Sequence, residues 1–178
     1  MLFRSNLSPQ VKRLAHWLFA LVLSAERDFD RAMSEAGTAI SLAPYDASLI
    51  ANLSPAPIMS GAPGKALDWI EFAAKHDPNA AKDISYKRGW ALRVLGKHED
   101  SLAAFKQADM SSDTPLNMAI DLVRLGRIDE AKAQVKLMLE KNDPKFTQEK
   151  WRQASFYSDP SLVEAEVADL GAAGLPEK

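Results

Sequence analysis

The small and apolar positions of the chain form a pattern that returns about every 34 residues. Ala32, Ala39 and Pro44 reappear 34 positions on as Ala66, Ala73 and Pro78. A third copy runs from Gly96 to Ala108, with Gly89 seven residues ahead of it and Phe105 inside it. A fourth starts at Gly126, with Ala131, Val135 and Met138 on its second half, and an opening copy has the same shape from Arg27 to Ala32. Self-similarity at such a period marks stacked supersecondary units. Each unit reads as two antiparallel helices. A glycine or polar turn closes the first helix, because glycine tolerates the left-handed conformation of a helix end. An acidic residue opens the second, where a carboxylate favours the positive end of the helix dipole. The small residues Ala32, Ala66, Ser101 and Ala131 let two helices approach closely, and Pro44, Pro78, Pro115 and Pro144 separate one unit from the next. The units predicted are 10–44, 45–78, 79–112 and 113–144, followed by a capping tail over 145–178, all within one domain. Pro55 and Pro57 fall inside the first helix of the second unit and must kink or break it. The Gly96–Gly126 interval is only 30 residues, so a junction near Ser111–Thr114 is shortened.

This pattern resembles the tetratricopeptide (TPR) family of 34-residue helix–turn–helix repeats over roughly residues 10–144. Gly89 matches the family's close-packing glycine, with Ala20, Ser54 and Ala119 in its place elsewhere; Phe105 matches the aromatic of the second helix, replaced by Ala36, Ile70 and Val135. The resemblance implies an all-α fold, a right-handed α–α superhelix of about four degenerate helix pairs with C-terminal capping helices. In the tail, a helix beginning at Phe146–Thr147 is expected to contain Trp151 through Tyr157. Asp159–Pro160 should cap another, ending in the Leu170–Glu177 stretch. That closing stretch resembles the C-terminal TPR region of bacterial adenylate/guanylate cyclase-like proteins, especially alphaproteobacterial ones, and implies a regulatory region of such a signalling protein as an alternative function.

Composition strengthens the helical reading: 28 Ala and 21 Leu stand against 17 Val, Ile and Thr together. Ala and Leu favour helices, and β-branched residues favour strands. The formal charge of −2 argues against a nucleic-acid or anionic-membrane partner. The absence of cysteine removes disulfides and thiolate chemistry. Arg4, Lys12 and Arg13 precede an apolar run from Leu14 to Leu23, a layout shared with secretory signals. His16 within that run, and Leu23 where a small residue is expected, favour a buried first helix and a cytoplasmic chain; an exported TPR-like assembly factor is the alternative. The run is too short to span a bilayer.

Little else points to chemistry. His16, His76 and His98 have no second ligand at metal-site spacing. The stretch Gly61–Ala66 lacks both the glycine spacing and the Ser or Thr of a phosphate loop, and reads as a turn with Pro63 starting a helix. No catalytic residue, metal or cofactor is expected. The expected function is a non-catalytic protein–protein interaction module that binds a protein or peptide in a groove lined by the first helices, or that mediates assembly. Groove-facing positions include Leu14, Trp17, Leu21, Met59, Asp83 and Leu116. The predicted partner-binding residues are Tyr86, Trp90, Arg93, Asn117, Ile120 and Arg124; the alternative for Tyr86 and Trp90 is that they pack between neighbouring units. Tyr86, Trp90 and Arg93 share one helix face by their spacing, and Trp, Tyr and Arg are the favoured residues of binding hot spots. Trp17 and Phe19, on a first helix with no preceding repeat, point to packing on another domain or to a homo-oligomer.

Overall fold

The computed structural model describes residues 8–77, 81–109 and 113–178, the side chains of 81–83 excepted. Pro78, Arg4, the Ser111–Ser112 junction and the side chain of Asp83 lie outside the described residues. The described residues are helical, with no strand among them: α1 Pro9–Ala25, α2 Phe29–Leu42, α3 Ala47–Leu53, α4 Pro55–Met59, α5 Pro63–His76, α6 Ala81–Val94, α7 His98–Phe105, α8 Thr114–Arg124, α9 Ile128–Lys141, α10 Gln148–Ala154 and α11 Pro160–Ala172. They separate into two compact units, Met1–Ala80 and Ala81–Lys178. The division falls between the second and third predicted repeats.

The repeat is visible in the turns between paired helices. After α1, α4, α6 and α8 the chain passes through a left-handed residue: Arg27 (φ 62°), Gly61 (85°), Gly96 (72°) and Gly126 (74°). Each turn closes with the same crossed pair of backbone hydrogen bonds. At Gly96 these are Gly96 N–H to the Arg93 carbonyl (2.8 Å) and Lys97 N–H to the Leu92 carbonyl (2.9 Å). This is the Schellman arrangement that satisfies the last carbonyls of a helix. Acidic residues follow where predicted: Asp28 caps α2, and Glu99, Asp100, Asp129 and Glu130 lie in the first turns of α7 and α9.

In the first unit α1 packs on α2, and the divided pair α3 and α4 packs on α5. The break falls at Ser54, where Pro55 cannot continue the hydrogen-bond ladder of α3. Pro63 starts α5. The core is the small-residue seam of the repeat, Ala20, Ala36 and Ala39 with Leu49 and Leu53, and Trp17 packs against it.

In the second unit α6 packs on α7, α8 on α9, and α11 against both α8 and α10. Gly89 is required by contact: a Cβ there would lie 2.9 Å from the Phe105 ring. Phe105 is fully buried, and Tyr86 meets it edge-on at 5.6 Å between ring centres. The tail differs from expectation at one point. The helix holding Trp151 ends at Ala154, so Tyr157 lies in the connection to α11 rather than on a helix. Its position there lets the phenol turn into the core, with 5% exposure.

Candidate functional site

The predicted residues Tyr86, Trp90, Arg93 and Asn117 come together in the second unit, with Trp151, Tyr157 and Glu166 of the tail. Trp90 Nε1 donates to the Tyr157 hydroxyl (2.8 Å), and Arg93 Nη2 approaches the same oxygen at 3.3 Å. Arg93 Nη2 also pairs with Glu166 Oε1 on α11 at 3.0 Å. The Tyr157 hydroxyl donates to Glu166 Oε1 (2.9 Å), while Trp151 Nε1 donates to Glu166 Oε2 (3.1 Å). From the other side Arg93 Nη1 donates to Asn117 Oδ1. Asn117 Nδ2 donates to the Tyr86 hydroxyl (3.3 Å), and Tyr86 donates to Asp113 Oδ2 at 2.5 Å. The guanidinium stands 6.0 Å above the Phe105 ring, within cation–π range.

This is a buried polar hub, and such groups are tolerated only when bonded. Burial pulls the Arg93 pKa down, but Glu166, Tyr157 and Asp121 together outweigh it and hold the cation firmly charged. Burial pushes the Tyr157 hydroxyl up to about 12 against the pull of Arg93. Tyr86 is raised further, by burial and then by Asp113. Both phenols therefore remain donors at neutral pH. The chain's own tail thus bonds Trp90 and Arg93, while Tyr86 and Asn117 are bonded by Asp113, Arg93 and each other. Only Arg93 Nε among the hub's buried side-chain atoms lacks an acceptor within the described residues.

Beside the hub lies a cleft of about 250 Å³ that includes the other two predicted residues. Arg93, Ile120 and Arg124 form one wall with Val94, Gly96 and His98; Ser161, Leu162, Ala165, Glu166 and Asp169 of α11 form the other. Ile120 is buried. Arg124 is the accessible cation, its side chain 41% exposed, with Nε held by Asp169 Oδ2 at 2.6 Å. Burial raises the Asp169 pKa, and Arg124 opposes the rise. His98 Nδ1 is 2.9 Å from Asp121 Oδ1. Asp121 in turn accepts from Ser101 Oγ at 2.5 Å and is itself fully buried. This pairing leaves the far ring nitrogen of His98 turned away from Asp121.

Tyr157, Glu166, Asp169 and His98 were not among the predicted residues. Glu166 and Asp169 sit three apart on α11, so they share a face, but nothing local indicates which cations they meet. In the first unit, predicted groove residues Leu14 and Trp17 line a separate cleft of about 220 Å³ with Arg13, Asp46, Ser48, Leu49 and Asn52. Met59 is buried. Among the described residues no cluster of three or more His, Asp or Glu could hold a metal ion, and no helix is long and apolar enough to cross a membrane.

Helix pairs joined by left-handed turns, with a close-packing glycine over an aromatic ring, define an all-α helical-repeat protein. Solved structures with this fold include TPR proteins. A thermophilic TPR protein of Thermus thermophilus, TTC0263, is 22% identical over 84% of this chain and 81% of its own, with a TM-score of 0.67. PilF of Pseudomonas aeruginosa is 16% identical over 93% and 74%, TM-score 0.66. YrrB, described as a TPR protein with an unusual peptide-binding site, is 18% identical over 89% and 79%, TM-score 0.54. The chain therefore has the TPR solenoid fold. No protein-family model and no curated protein sequence matches it.

Proposed function

We propose that the chain is a non-catalytic interaction module that takes a carboxylate-bearing segment of a protein partner into the cleft between α8 and α11. The observation that carries this is Arg124. Its Nε is fixed by Asp169, yet two-fifths of the side chain remains exposed beside a cleft that buried Ile120 also lines. A guanidinium oriented by one carboxylate presents its remaining N–H groups to a second, and charge-assisted pairs of that kind are the stronger hydrogen bonds. Val94 and Leu162 offer apolar cover beside it. The peptide-binding site attributed to YrrB is a use of the same fold that supports this reading.

Arg93, which lines the cleft, holds α11 as its far wall through Glu166, with Trp90 supporting that contact through Tyr157 and Asn117 and Tyr86 bonding on the other side of Arg93. The test is co-purification from the native host with wild-type and Arg124→Ala chains. Arg124 lies outside the hub, so the variant should keep its helical circular dichroism and melting point. Captured partner should bind about 10- to 150-fold more weakly, as loss of a charged hydrogen bond worth about 1.5–3 kcal/mol implies. Unchanged affinity would remove the cleft from consideration. Regulation of a nucleotide-cyclase-like protein is a narrower version of this reading, supported by the tail sequence; an adjoining cyclase-encoding frame would favour it. A second reading, assembly of like chains through the first helix, is favoured by the exposed apolar face of α1.

A further inference from the structure

Five apolar side chains of α1, Val11, Leu14, Leu18, Phe19 and Val22, are between 44% and 53% exposed. At 3.6 residues per turn they form, with Ala15 and Ala25, a stripe about 140° wide that carries no charge within α1 itself, Glu26 entering it only at the C-cap. The opposite face of the same helix is buried through Ala20, Leu23 and Ser24.

The charges at the edge of the stripe indicate what fits it. Lys12 and Glu26 lie on the same side as Phe19, one near each end of the helix, and position 19 is midway between them. Neither side chain has a hydrogen-bonding or ionic partner among the described residues. We infer that α1 pairs antiparallel with α1 of a second copy, about a two-fold axis at the level of position 19. This rests on the assembly reading above and gives it a geometry. The axis sets Lys12 against the partner's Glu26 and, by symmetry, repeats the pair at the other end; such self-complementarity is what an isologous interface requires. The stripes also interleave. Measured along the helix, Val22 of one copy falls between Ala15 and Leu18 of the other. A membrane surface fits less well, because interfacial helices carry basic edges and this one carries one charge of each sign.

A single helix stripe buries less than the roughly 800 Å² per partner of a standard interface, so the dimer should be weak and follow concentration. Sedimentation velocity from about 1 μM to 1 mM is expected to show a reversible monomer–dimer equilibrium. Leu18→Glu, at a position more than half exposed, should leave the fold intact and weaken dimerisation at least ~10-fold by placing a charge in the stripe. Lys12→Glu alone should weaken it ~5-fold at low salt, and Lys12→Glu combined with Glu26→Lys should restore it. A chain that stays monomeric throughout would overturn both the assembly reading and this geometry. Association weakened by Leu18→Glu, together with a Lys12→Glu chain that adding Glu26→Lys fails to restore, would overturn the antiparallel geometry alone.

Discussion

Asp121 shows how a single buried group couples the interior of the second unit to pH. It is enclosed beneath His98 and Ser101. Burial raises its pKa above the unfolded value, with Arg93, Ser101 and His98 opposing the rise. A carboxyl raised on folding binds its proton more tightly in the native state, so its contribution is fully present below the unfolded pKa. That contribution is lost as pH climbs through the folded value. Between about pH 4, the ordinary aspartate range, and that raised value, ionisation of Asp121 costs stability. Asp121→Asn removes this dependence. Urea-unfolding midpoints should place the variant nearest wild type at low pH and improve its relative standing as pH rises to 7; a pH-independent difference would contradict the assignment. The residue also marks where sequence reading stopped. His98 read as helix-opening polarity, which its place at the start of α7 supports, but its pairing with Asp121 spans 23 positions and has no local signature.

At the level of helices, the close approach of α6 and α7 depends on the missing Cβ of Gly89. Gly89→Ala would gain about 1 kcal/mol of intrinsic helix preference. It would also place a methyl carbon 2.9 Å from the rigid, enclosed ring of Phe105. Overpacking of a core costs typically about 1–3 kcal/mol, so the expected net effect is destabilisation. Differential scanning calorimetry should show a lowered Tm, largely recovered when Phe105→Leu is added. The helix pairs were legible because their signals are local: small residues at 34-residue spacing, left-handed glycines at Gly61, Gly96 and Gly126, and acidic second-helix starts. The first turn uses Arg27 where glycine is usual, and its polar context still identified it. The break at Ser54 followed from Pro55. The end of α10 was not legible, since Trp151 through Tyr157 carries no helix breaker; the demand for Tyr157 in the hub lies beyond that segment.

The chain as a whole consists of two compact units meeting in sequence at residues 80 and 81. The second has its own core through Phe105, Leu116, Ile120 and Leu170, and its own polar hub. Residues 81–178 alone are therefore expected to fold cooperatively, with coincident far-ultraviolet and tryptophan-fluorescence transitions in urea. Non-coincident or absent transitions would show that the hub needs the first unit. The composition of the predicted site was legible at this scale, because aromatic and arginine positions on α6 and α8 stood out. Its occupancy was not. Whether Trp90 and Arg93 face a partner or the chain's own tail depends on contacts spanning 64 to 73 positions, and periodicity carries no information over that range.

That same span sets an order of events during synthesis. Arg93 leaves the ribosome 73 residues before Glu166, a delay of about 4–15 s at ordinary translation rates. Until Tyr157 emerges, 64 residues after Arg93, the indole of Trp90 and the guanidinium of Arg93 have neither Tyr157 nor Glu166 to bond. The nascent second unit remains an open helical stack, accessible to a chaperone or to another chain, until the segment carrying α11 arrives to close it.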